Sequence, residues 1–184
     1  MAIDDWHLAK NKDGIKVYTR KIEGWGLKEY KVIMEVNASV DQIESVLRDS
    51  KNREKWLHNS YDAKDLKSPS PEVVYTYAVM DAPWPVSDRD NITQWTYEKE
   101  ENGNVRIDMV AVPILIPEKS GIVRIKRMKG YWQLEKISST KTKVIQQVVS
   151  EAGGSIPDWL ANSSIVDTPY QTFVKLKGYL AEKY

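Results

Sequence analysis

Side chains able to do covalent or ligand chemistry are few in this chain of 184 residues, and their spacing favours holding a molecule over transforming one. The two histidines, His7 and His58, fall near the N-terminus and at the end of an expected helix, with no acid or nucleophile at a useful spacing from either. With no cysteine, thiolate catalysis, disulfides and cysteine-ligated metals are excluded. No His-x-x-x-His or carboxylate cluster suggests a metal, so no catalytic residue, metal or cofactor is expected. Gly153-Gly154-Ser155 is too short to cradle a phosphate and reads as a hinge, where glycine permits backbone angles other residues resist. Arg89-Asp90 has two readings. Arg89 could enter a cavity and hold an anionic head group through two parallel hydrogen bonds, or the pair could brace the turn after Pro85; the structural reading is favoured.

A different kind of feature stands at residues 113–121. Ile114, Leu115 and Ile116 lie between two prolines in what should be a surface connection, which exposes apolar area unless it covers something. A hydrophobic ligand is the expected partner, with a turn folded back on the core as the alternative. The 27 Lys and Arg against 26 Asp and Glu give a formal net charge of +1, too little to draw a nucleic-acid backbone. Seven Trp and ten Tyr against one Phe favour rings with a polar handle, as suits a cavity with both oily and polar parts. No apolar run reaches the roughly 18 residues of a membrane span. The chain as it stands reads as cytoplasmic; a leader trimmed ahead of Met1 would make it periplasmic or exported.

The elements that must position these residues are mostly strands. GIKVYTRKI alternates from Gly14 to Ile22, and Tyr30, Val32, Met34 and Val36 share one face of a second strand, with EGWG as the turn between them. Ser39 and Gln42 form a capping box for a helix with Val40, Ile43, Val46 and Leu47 on its apolar face, ending before Trp56. Strands are expected at 73–80, 91–99 and 105–112, then at about 122–128, 130–137 and 142–151. Pro157 sits near a helix start, where Ser155 or Asp158 can satisfy the first-turn donors, and Pro169 should kink or restart that helix before the stripe Phe173, Leu176, Leu180. The result is an α+β single domain over residues 1–184, a curved antiparallel sheet crossed by a long C-terminal helix. Periodicity does not decide between a solid core and a cavity beneath that helix, and on pattern alone the solid core is slightly favoured.

The order GIKVYTR, PWPVSDRD, KSGIVR, KGYWQLEK and GGSIPDWLAN, spanning nearly the whole chain, resembles the START family of lipid-transfer domains, in its bacterial single-domain form. The resemblance implies the helix-grip fold, with one lipid or sterol held in an internal hydrophobic tunnel under the C-terminal helix, closed by that helix and the 113–121 loop. It implies a binding protein, possible as an intermembrane carrier, whose partner is a small hydrophobic ligand, with transient membrane contact and a monomeric state; a helix-grip cyclase or hydrolase is the alternative. Sterol and phospholipid carriers of the family place a second arginine six positions after the Arg of the Arg-Asp pair, where this chain has Trp95, and the acidic partner of sterol-type members aligns near Thr76. Losing both together is consistent, because a buried charge without its partner costs several kcal/mol. A ligand read by shape, by stacking on Trp95 and Trp132 and by a few hydroxyl contacts is therefore expected. The expected lining is Tyr75, Tyr77, Trp95, Met109, Leu115, Trp132, Leu160 and Phe173, with Arg89 as the polar contact. Its weakest part is the strand phase near Pro83–Pro85, since a bulge there would turn every later side chain to the opposite face.

Overall fold

A computed structural model describes residues 5–184, apart from the side chain of Asp158. Its strands are β1 (His7–Lys12), β2 (Ile15–Arg20), β3 (Glu29–Val36), β4 (Ser60–Asp65), β5 (Val73–Met80), β6 (Arg89–Lys99), β7 (Val105–Ala111), β8 (Val123–Arg124), β9 (Met128–Lys136) and β10 (Thr142–Ser150). The helices are α1 (Val40–Arg48), α2 (Arg53–Trp56), α3 (Asp158–Ile165) and α4 (Asp167–Lys183). Nine strands form one antiparallel sheet in the order β1-β2-β3-β10-β9-β7-β6-β5-β4, and the short β8 pairs in parallel with β6. This is the helix-grip architecture expected from the sequence, a curved sheet around the C-terminal helix.

Local chemistry accounts for the helices. Ser39 Oγ accepts from the Gln42 N–H at 3.2 Å while Gln42 Oε1 accepts from the Ser39 N–H at 2.8 Å, so the capping box satisfies two end donors of α1 and buries Val40, Ile43, Val46 and Leu47. At the other end of the chain, Val166 alone separates α3 from α4, and Pro169 sits in the first turn of α4, where N–H groups have no intrahelical acceptor. Phe173, Leu176 and Leu180 then face the core from α4. Helix α3 has Pro157 at its N-cap and no side-chain capping bond, so Ser155 does not serve there; the Asp158 side chain lies outside the described residues.

Two edge strands escaped the sequence pattern. HLAKNK of β1 and SYDAKD of β4 are mostly exposed, so they carry no apolar alternation; His7 opens β1. The strand expected near 122–128 shrinks to Val123–Arg124, and β9 runs unbroken through Gly130. A Cβ at Gly130 would lie 2.2 Å from the Gln147 carbonyl oxygen, so β9 and β10 approach there at a distance only glycine allows.

Candidate functional site

The inner face of the sheet and the underside of α3 and the start of α4 enclose a cavity of about 460 Å³. Its strand-borne wall follows from register. Thr76 pairs with Thr93, Ala78 with Asn91 and Met80 with Arg89, so these side chains share the inner face with Trp95, Met109 and Trp132. Helix α3 supplies Trp159, Leu160 and Ser163 to the opposite wall, and α2 supplies Arg53 and Trp56. A 460 Å³ chamber lined mainly by apolar groups is the size of a small-molecule site.

Of the residues expected from sequence, Arg89, Trp95, Met109, Trp132 and Leu160 line this cavity; Tyr75, Tyr77, Leu115 and Phe173 do not. The tyrosines fall on the other face because β5 alternates small and large residues, and the cavity side takes the small ones, Thr76 and Ala78. Tyr77 is nonetheless fully buried. It packs with Val79 and Ile92 in a second apolar cluster under Val112, Ile116 and Ile122, so β5 is covered on both faces. The 112–122 loop thus folds Ile116 back onto the outer face while Ile114 and Leu115 project outward, 95% and 44% exposed. Phe173 lies behind the cavity wall, stacked on Trp132 with ring centroids 5.4 Å apart and planes 6° from parallel.

Arg89 and Asp90, adjacent in sequence, point to opposite faces and do not pair. Arg89 Nε and Nη2 each donate at 3.3 Å, to the carbonyls of Ala152 and Gly153, and Nη1 donates to the Ser87 carbonyl, which ties the start of β6 to the segment before α3. Burial lowers its pKa from the usual arginine value, against the pull of Asp88. Asp90 instead accepts from Arg124 Nε at 2.6 Å and Nη2 at 3.0 Å, in a fork of two buried side chains. Arg124 also donates to the carbonyls of Pro113, Ile116 and Pro117, fastening the apolar loop to the sheet. The Asp90 bond raises the Arg124 pKa, more than burial lowers it. The sequence expectation of a structural role for the pair takes this form, in two separate braces and not one.

Thr76 and Trp95 form a neutral contact across β5 and β6: Trp95 Nε1 donates to Thr76 Oγ1 at 3.0 Å. Farther along the wall, the Tyr30 hydroxyl donates to Gln146 Oε1 at 3.4 Å, and burial raises its pKa above the usual tyrosine range.

One end of the sheet gathers four connections. Met80 pairs with Arg89, Val110 with Lys129, Ser150 with Met128 and Arg20 with Glu29, which brings residues 21–28, 81–88, 112–127 and 151–157 to the same end; Leu27, Pro83, Ile125 and Ala152 are among those that line the cavity. Trp84 in the second of these is 91% exposed, Ile114 and Leu115 in the third are 95% and 44% exposed, and Trp159, just beyond the last, is 56% exposed.

The model of the START domain matches residues 3–175. The chain belongs to the START domain family. A solved structure similar to this START domain, a STAR-related lipid transfer protein fragment from Xanthomonas axonopodis, superposes with a TM-score of 0.89 at 39% identity, covering 97% of this chain and 99% of that one. An uncharacterized protein of Pseudomonas aeruginosa is 40% identical over 98% of this chain and 88% of its own length. The phosphatidylcholine transfer protein of Rattus norvegicus is 28% identical over 86% of this chain and 75% of its own.

Sequence reasoning missed Arg53, Trp56, Thr76 and Gln146 in the START cavity wall. Arg53 and Trp56 stand three apart on a helix of four residues, too short for a periodic pattern to announce. The alternation around Thr76 was legible; only which face lies inside was not.

Proposed function

We propose that this START domain carries one small hydrophobic molecule in the cavity beneath α3 and α4 and exchanges it at a membrane surface. The observation that supports this reading most is the mainly apolar chamber of about 460 Å³ that opens at the sheet end bearing Trp84, Ile114, Leu115 and Trp159. Trp95, Met109, Trp132 and Leu160 are the proposed apolar contacts, and Arg89 orders the segment before α3 more than it reads the ligand, since three carbonyls already take its N–H groups. Gly153, at a φ of +67° that side chains resist, lets the chain turn into α3, and a Cβ there would meet Val123 at 2.8 Å. Movement about this point would open the mouth.

With a net charge of only +1, attraction to anionic lipid does not drive membrane contact; insertion of the apolar rim does. Among the described residues no helix is long and apolar enough to cross a membrane; the contact proposed is peripheral and transient. The test is native mass spectrometry and organic extraction of gently purified protein, followed by transfer of the extracted molecule between vesicles. A stoichiometric apolar guest that moves between vesicles is expected. Chemical turnover of that guest on incubation would replace the carrier reading by the enzyme one.

A further inference from the structure

Arg53 is an exception among the cavity's polar groups. It is 2% exposed, lines the cavity, and lies over the Trp95 ring with its guanidinium carbon 4.9 Å from the centroid. Its Nη2 donates to the Leu47 carbonyl at 3.3 Å, while its Nε has no acceptor. No carboxylate forms an ion pair with it among the described residues. Burial lowers its pKa, and Tyr97, Asp65 and Asp49 oppose that only at longer range. Two further donors in the same wall are also unmatched. Trp56 Nε1 and Trp132 Nε1 are buried without partners, and these rings meet edge-on with centroids 6.1 Å apart. Arg53 and Trp56 share α2, so charge and indoles form one neighbourhood.

All three groups are pure donors at neutral pH. An unmatched buried donor costs about 1–3 kcal/mol and more when charged, so the Arg53 charge above all calls for an acceptor. The acidic residues of the lining, Asp81 and Glu151, belong to the mouth. Trp95 is six residues along β6 from Arg89, about 20 Å at the rise of a strand, which sets Arg53 at the far end of the chamber.

Resting on the carrier reading above, we propose that Arg53, with the indole N–H groups of Trp56 and Trp132, receives the anionic head group of a single-chain amphiphile, a carboxylate or a phosphate monoester, whose tail runs along Met109 and Val148 toward Leu160 and the mouth. The size limit comes from volume. A chamber of about 460 Å³ lies in the lower half of the roughly 300–1,000 Å³ range of small-molecule sites, which suits one chain with a small head. The geometry also explains why a cationic residue is compatible with an apolar chamber: the guest supplies the countercharge that the chain omits.

The test titrates the purified, delipidated protein with tetradecanoic acid, tetradecyl phosphate and tetradecanol, reading tryptophan fluorescence and calorimetry. At least one of the two anions should bind about 10-fold or more tightly than the alcohol, as hydrogen bonds to a charged group allow. Which anion wins separates a carboxylate from a phosphate head. Arg53→Met should remove that preference, read as the ratio of anion to alcohol affinity, and Trp56→Phe, which keeps the ring and deletes one N–H, should reduce it in part. Equal affinity of all three probes for the native protein would overturn the anion assignment and leave the carrier reading standing. Binding of none of them would remove both.

Discussion

Two buried guanidinium groups, Arg124 on the outer face of the sheet and Arg53 on the inner one, have opposite surroundings. Arg124 reaches the two oxygens of Asp90 and three loop carbonyls, all supplied by the chain, whereas Arg53 reaches one carbonyl and keeps an unmatched Nε beside two unmatched indoles. A buried charge needs acceptors in proportion to what it lost by leaving water. Where the chain provides them the residue is a brace, and where it does not the residue is available to a guest.

The contrast predicts stability changes of opposite sign. Asp90→Asn strands the Arg124 charge and should cost about 3–5 kcal/mol in urea unfolding, with faster proteolysis in the 112–122 loop that Arg124 fastens. A loss under 1 kcal/mol would show that the loop carbonyls alone satisfy Arg124. Arg53→Met should instead stabilise the delipidated protein, by about 1 kcal/mol or more, which for a chain of this size is a Tm rise of about 2–4 °C. A marked fall in Tm would mean that Arg53 braces the fold as Arg124 does.

Ligand effects sharpen the comparison between the two ends of the chamber. Leu160→Glu sets a carboxylate on the apolar wall of α3 and should weaken uptake of a single-chain probe by roughly 10-fold, measured by fluorescence titration against an unchanged circular dichroism spectrum. Smallest is the rim: Ile114→Asp paired with Trp84→Glu should slow vesicle-to-vesicle transfer by about 3–10-fold, equivalent to about 1 kcal/mol of lost insertion energy, and leave equilibrium binding in solution unaltered. Equal loss of binding and transfer would place those residues in ligand contact.

Much of the fold was legible because it is local. The capping box at Ser39 and Gln42, the alternation of Val32, Met34 and Val36, and the restart of the helix at Pro169 are each set by residues within a turn or a strand of one another. The cavity wall was legible where large rings face inward, as at Trp95 and Trp132. It was misread at Tyr75 and Tyr77, because β5 is covered on both sides and a period of two names the two faces without saying which is the interior. Leu115 was misread for a related reason: Leu115 and Ile116 look alike in sequence, but of the two only Ile116 packs against the cluster of Tyr77, Val79 and Ile92.

By itself, then, the sequence determined the central strands, the capped helix, the family and the presence of a long amphipathic cover over a curved sheet, since hydrophobic period and turn chemistry act over short spans. The tertiary structure alone decided which arginines are satisfied. Asp90 finds Arg124 across 34 positions while Arg89, its neighbour, faces the other way, and Arg53 comes to rest against Trp95. Such pairings depend on how distant strands and helices close around a space, and neighbouring residues carry no record of that closure.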